Sequence, residues 1–191
     1  MTVLDAATRL RERFGKEIGD SREFRGEISV EIPRGRIVEI CKFLKTNHDL
    51  AFDYLVDISG VDNFGDEPRF EVVYHLYSYK NGIALRLRTR LPENDPTLPS
   101  VTSVWHGADW HEREAYDMFG IKFTGHPDLR RILMWDGYPY YPLRKDFPLA
   151  GKPSEMPDVA FSKAAPLMGG PFVAAPDGHS FEKEPRAKGE E

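Results

Sequence analysis

The run Trp110-His111-Glu112-Arg113-Glu114-Ala115-Tyr116-Asp117-Met118-Phe119-Gly120-Ile121 holds the densest set of side chains able to do chemistry. Two further clusters follow: His126, Asp128, Arg130 and Arg131, then Arg144, Lys145 and Asp146. Paired carboxylates suggest general acid–base work, and histidines among acids suggest a metal centre. The spacing speaks against both. Glu112 and Glu114 are two apart, so on a helix they point in different directions. His111-Glu112 opens like a zinc-protease helix, but the second ligand position, four residues after His111, is Ala115. His106, His111 and His126 fall on different expected elements, and nothing in their spacing makes them converge. The simpler reading is a well-capped charged helix. Asp109 at the N-cap and Glu112 three residues on spell a capping box. Arg113 and Asp117 stand at i,i+4 and are expected to pair on the helix surface for a few tenths of a kcal/mol. Ala115, Met118 and Phe119 form the expected buried side, and Gly120 the C-terminal stop. No P-loop, GxGxxG fingerprint or GxSxG elbow is present.

The elements that must position this helix are legible upstream. Leu4, Ala7, Leu10 and Phe14 recur at helical spacing. Ile28, Val30 and Ile32 alternate with Glu27, Ser29 and Glu31, predicting a half-buried strand ended by Pro33. Ile37, Ile40, Cys41 and Leu44 return to helical spacing, with Cys41 as a small core residue. Residues 52–61 are β-rich. Phe70, Val72, Tyr74 and Leu76 alternate cleanly. Lys80-Asn81-Gly82 signals a hairpin, and Ile83, Leu85, Leu87, Thr89 and Leu91 return opposite Ala84, Arg86, Arg88 and Arg90. The order predicts a two-layer α+β domain, a mainly antiparallel sheet with helices on one face. The arginine row reads as a solvated face that discourages edge association, with a docking ridge for an acidic partner as the functional alternative.

From Trp135 the composition changes. Trp135, Tyr138, Tyr140, Tyr141 and Phe147 interleave with Pro139, Pro142 and Pro148, which favours extended chain. Arginine with large aromatics is the composition of protein interfaces. Six prolines and five glycines fall in residues 151–191, without periodicity. The expected division is therefore a folded domain over 1–151 and an extended or disordered tail over 152–191, with Leu167 to Val173 as its docking segment.

Composition narrows the function. The 191 residues carry 26 Lys+Arg against 31 Asp+Glu, a net charge of −5, without the basic excess of a general nucleic-acid binder. Charge-free stretches such as Ala164 to Pro176 fall short of the ~18 apolar residues of a spanning helix. The N-terminus lacks the apolar core of a signal peptide, so a cytoplasmic location is expected. Cys41 is the one cysteine, too few for an internal disulfide or a cluster of cysteine ligands.

With these residues in view, Glu112 to Leu133 closely resembles the signature of the thirty-kilodalton subunit family of respiratory complex I, known in bacteria as the C subunit of NADH-quinone oxidoreductase. Phe52-Asp53-Tyr54-Leu55, Gly60-Val61-Asp62, Arg69 to Leu76, Pro99-Ser100-Val101-Thr102 and Pro142 to Leu149 match in order, so the resemblance covers about residues 25 to 151. It implies an α+β subunit with no catalytic site, metal or cofactor of its own. FMN, iron–sulfur clusters and quinone would sit in partner subunits. The chain would belong to the hydrophilic arm of a proton-translocating complex, peripheral on the cytoplasmic side of the bacterial inner membrane. Its neighbours would be the quinone-site subunit and the iron–sulfur subunits. The resemblance makes Glu112, Arg113, Glu114, Asp117, Phe119, Gly120, His126, Asp128, Arg130, Arg131, Arg144, Lys145 and Asp146 its signature and docking residues. Glu112, Arg113, Glu114 and Asp117 are expected to fix the helix and its loops, Arg130, Arg131, Arg144 and Lys145 to pair across an interface or brace the extended segment, and Trp135, Tyr138 and Tyr140 to be anchors. Two alternatives stand beside it: the equivalent subunit of a membrane-bound hydrogenase or another complex I-like enzyme, and a free-standing metal or acid–base enzyme using His106, His111, Glu112 and His126.

Overall fold

The structure is a computed structural model that describes residues 2–148; the expected 152–191 tail lies outside the described residues. Three α-helices and seven strands follow one another: α1 (Val3–Phe14), β1 (Ser21–Phe24), β2 (Glu27–Glu31), α2 (Ile37–Thr46), β3 (Tyr54–Asp62), β4 (Phe70–Ser78), β5 (Ile83–Leu91), β6 (Thr97–Pro99), α3 (Ala108–Phe119) and β7 (Lys122–Thr124). Five strands form one sheet in the order β1-β2-β5-β4-β3, and β6 and β7 form a small parallel pair. The large sheet is antiparallel except where β2 runs parallel to β5. The α+β class read from the sequence is the class observed.

The register explains the core. Val30, Leu87, Tyr74 and Ile58 stand side by side across four strands and are all buried. Rows of this kind remove apolar surface from water, the main favourable term in folding. Ala6, Ala7, Leu10 and Phe14 of α1, with Ile37, Ile40, Cys41 and Leu44 of α2, join the same core. Burial pushes the Cys41 thiol well up, with the Glu112 charge adding to the effect, so it is no nucleophile at neutral pH.

Several expectations are corrected. Leu4 faces solvent, and Ala6 takes the place expected for it. The α1 N-terminus instead carries a capping box between Thr2 and Asp5. β1, whose four residues are all exposed, carries no alternation to read and pairs with β2 through a turn at Arg25-Gly26. The arginine row is not simply solvated. Arg88 and Arg90 lie near Glu71, at 3.7 and 3.8 Å, and Arg86 pairs with Glu27.

One glycine sets how closely α3 approaches the sheet. A Cβ on Gly60 of β3 would stand 2.6 and 2.9 Å from the Phe119 ring. Gly60→Ala is therefore expected to cost about 1–3 kcal/mol by overpacking, read as a lower midpoint in urea unfolding with an unchanged slope.

Candidate docking site

The helix α3 begins differently from expectation. Its N-cap is Gly107, with no side-chain cap, and Asp109 lies inside the first turn. Glu112 is therefore released from capping and points into the core, fully buried. Its Oε1 accepts the Val101 N–H at 2.7 Å, while Oε2 has no hydrogen-bond partner. Burial pushes this carboxyl up to about 7. Glu114, two residues on, is exposed.

Nor do Arg113 and Asp117 pair with each other. Arg113 is buried, donates from Nε to the Arg130 carbonyl at 3.3 Å, and lies 4.8 Å from the centre of the Trp110 ring. Asp117 sits in the last turn of α3 and faces the chain that follows. Its Oδ2 accepts three successive backbone N–H groups, from Ile132 at 2.9 Å, Leu133 at 2.6 Å and Met134 at 2.9 Å. Its Oδ1 accepts from Arg131 Nη1 at 2.6 Å. Burial alone would raise the Asp117 carboxyl; these donors outweigh it and hold the group below its ordinary value. Arg131 then continues outward, donating from Nη2 to the carbonyls of Tyr138 at 2.7 Å and Tyr140 at 3.1 Å. One buried ion pair thus organises residues 130–140, which have no helix or strand of their own.

The same end of α3 receives the second cluster. A helix leaves its last carbonyls without intrahelical donors. Here Gly120, left-handed at φ 77°, donates to Tyr116; Arg131 Nη1 donates to the Asp117 carbonyl; the Leu143 N–H donates to Met118; and Arg144 Nε donates to Phe119 at 2.7 Å. Two arginines at this negative end also complement the helix dipole. Arg144 stacks 4.5 Å from the Tyr141 ring centre and 4.9 Å from that of Phe70.

A third node ties the incoming chain to the sheet. Asp62 and Arg69, both buried, make a two-pronged pair at 2.8 Å for each contact. The hydrogen bond from Arg69 holds the Asp62 carboxyl down. Asp62 Oδ2 also accepts the Lys145 N–H at 2.8 Å, and Asp146 reaches Arg69 at 3.2 Å. Lys145 and Asp146 are thus held through a backbone amide and an ion pair, and the Lys145 side chain does not make this contact. The signal for this node lies in the sequence, as Asp62 and Arg69 flanking the loop that joins β3 to β4, but charge spacing alone does not point from them to residue 145.

The histidines stay apart. His111 Nδ1 lies 3.1 Å from Asp57 of β3, and the buried His126 ring places Nε2 3.2 Å from the Asp109 carbonyl. Among the described residues no group of three or more His, Cys, Asp and Glu side chains is placed to hold a metal ion. Arg130 and Asp128 are exposed and pair with each other at 3.0 Å. Along the surface of this segment Trp135, Tyr138, Tyr140 and Phe147 form a chain of ring contacts 5.7–6.0 Å apart. The cavity between α3 and β3 measures only about 170 Å³, below the usual range of small-molecule sites.

What these residues define is a brace, a set of buried charges that fixes an irregular aromatic segment on a sheet. Residues 30–153 match the profile of the family described as respiratory-chain NADH dehydrogenase, 30 Kd subunit, and the chain belongs to that family. It is 54% identical over 140 residues to the C 2 subunit of NADH-quinone oxidoreductase from Rhizobium etli (strain CIAT 652), covering 73% of this chain and 74% of the relative. Among solved structures it resembles a trypsin-resistant fragment of Nqo5, with 38% identity, TM-score 0.53, and coverage of 68% of this chain and all of the fragment. A chain of an archaeal respiratory membrane complex, the membrane-bound sulfane sulfur reductase, shares the fold at 24% identity and TM-score 0.66, over 77% of this chain and 86% of that one. Among the described residues no helix is long and apolar enough to cross a membrane.

Proposed function

We propose that this chain is a non-catalytic docking subunit in the hydrophilic arm of a proton-translocating NADH-quinone oxidoreductase. It sits peripherally on the cytoplasmic side of the bacterial inner membrane, against the quinone-site subunit and neighbouring iron–sulfur subunits. Those partners hold the FMN, the clusters and the quinone, and carry electrons from NADH. The chain supplies no cofactor and no catalytic group; it supplies a shaped surface.

The observation that carries this reading is the direction of the charges. Glu112, Arg113, Asp117, Arg131 and Arg144 turn inward and fix their own backbone, leaving Trp135, Tyr138 and Tyr140 on a rigid segment. Rigid aromatic anchors are what an interface needs, because little entropy is lost when they dock. The exposed Glu114, Arg130 and Asp128 then serve the rim. A second reading, the equivalent subunit of a related membrane complex with another electron donor, draws on the fold shared with the sulfane sulfur reductase. The high identity to an NADH-quinone oxidoreductase sequence favours the first.

Affinity purification of the tagged chain from gently solubilised native membranes separates the two. Recovery with iron–sulfur subunits and NADH-to-quinone activity is expected. Recovery with a hydrogenase or sulfur-reducing module and no NADH oxidation would select the second. A lone metal-loaded protein would overturn both.

A further inference from the structure

The sheet has a second face, opposite the helices, which the brace does not use. A groove of about 530 Å³ runs over it. Val73 on its floor is buried, and two apolar side chains stand at its edges: Val61 on β3, 36% exposed, and Phe24 on β1, 62% exposed. Arg22, Arg86 and Arg88 line it together with Glu71; Arg86 pairs with Glu27 beside the groove and Arg88 lies 3.7 Å from Glu71, so two acids face three arginines. Arg22 has no ionic partner among the described residues. The Nε atoms of Arg86 and Arg88 are buried and have no hydrogen-bond partner. His75 on β4 stands opposite Arg86; burial, and then the Arg86 charge, hold it below its ordinary value, so at neutral pH it leaves the cationic character to the arginines. Register places the charges in line: Arg22, Ser29, Arg86 and His75 are successive cross-strand neighbours on four strands.

We propose that this open sheet face is a second docking surface, built to receive an extended acidic segment of another subunit that crosses the strands, with its carboxylates on Arg86, Arg88 and Arg22 and apolar side chains on Phe24 at one edge and Val61 at the other. The proposal rests on the docking-subunit reading above and adds to it the chemistry of one partner. Guanidinium groups bind carboxylates in paired, charge-assisted contacts, and unpartnered buried donors gain most from them. An inorganic anion would leave Phe24 and Val61 uncovered, and a purely apolar partner would bury the Arg22 charge and leave the Nε donors of Arg86 and Arg88 unsatisfied. A segment that carries both acidic and apolar residues meets both demands.

The test uses the tagged full-length chain in cells that make the whole membrane complex. The photoreactive residue p-benzoylphenylalanine replaces Phe24 in one strain and Val61 in another, and cross-links are mapped by mass spectrometry. The expected result is a cross-link from both positions to one segment of another subunit that carries Asp or Glu. The double variant Arg86→Gln, Arg88→Gln should lower cross-link yield by roughly tenfold, the worth of one charge-assisted contact. Arg86→Lys with Arg88→Lys should retain most of it, which separates lost charge from lost folding. Cross-links only to residues 149–191 of the same chain, to a second copy, or to a segment without carboxylates would overturn the proposal. So would no cross-link, or a yield indifferent to charge. Failure of the tagged chain to co-purify with any membrane complex would sink the functional reading and the docking proposal with it; co-purification without these cross-links would sink the docking proposal alone.

Discussion

Asp117→Ala is expected to destabilise the fold by about 3–5 kcal/mol, the cost of removing one partner from a buried ion pair. The loss is concentrated because one carboxylate serves four donors. Without it the N–H groups of Ile132, Leu133 and Met134 lose their acceptor together, and Arg131 keeps a largely buried charge with no counter-ion. Hydrogen exchange should show the first loss of protection at residues 130–145, with the strands β3 to β5 protected until global unfolding. Acid should reproduce the effect in the wild type. The folded Asp117 carboxyl lies below its ordinary value of 3.8, so its contribution is complete above that pH and disappears as the pH falls through the folded value. A loss under about 1 kcal/mol, the scale of a surface pair, would mean that Asp117 does not organise this segment.

Glu112→Gln should act in the opposite direction and depend on pH. The folded carboxyl titrates near 7, above its ordinary 4.5. The folded chain therefore holds a proton that the unfolded chain releases between those values. Wild-type stability should fall as the pH rises through this window and level off above it. At ~1.4 kcal/mol per pH unit, the fall reaches roughly 3 kcal/mol by pH 8. Glutamine keeps the acceptor for the Val101 N–H and carries no charge to bury. The variant should match the wild type near pH 4 and be more stable at pH 8 by up to roughly 3 kcal/mol. Urea unfolding at the two pH values checks this. A variant less stable than the wild type at pH 8 would show that ionised Glu112 is held by a stabilising contact.

These two residues also mark the boundary of what local pattern can reveal. Strand β5 alternates along its length, β4 carries Phe70, Val72, Tyr74 and Leu76 on one face, and the Asn81-Gly82 turn joins them, so the hairpin is plain from the residues alone; that the first five residues of β4 are all buried is not. The second helix and the left-handed Gly120 are equally legible. What defeats pattern is long-range pairing. Asp109 and Glu112 have the spacing of a capping box, but Glu112 lies where the chain at Val101 passes under α3, and its burial outweighs the local signal. Arg113 and Asp117 have the spacing of a helix pair, but each finds a stronger partner in residues 130–134, an irregular stretch with no period to read. β6 and β7, at three residues each, are too short to carry alternation. The charged residues of the signature stand out in the sequence, but their partners are set by the fold.

If these charges serve assembly and not electron transfer, the two roles separate in a single measurement. It is turnover per assembled complex in membranes whose tagged chain carries Asp117→Asn, with complex content taken from bound flavin. The expected result is fewer complexes, each oxidising NADH with quinone at the wild-type rate. A normal number of complexes with turnover reduced tenfold would contradict it and place Asp117 in the chemistry (about 1.4 kcal/mol of barrier).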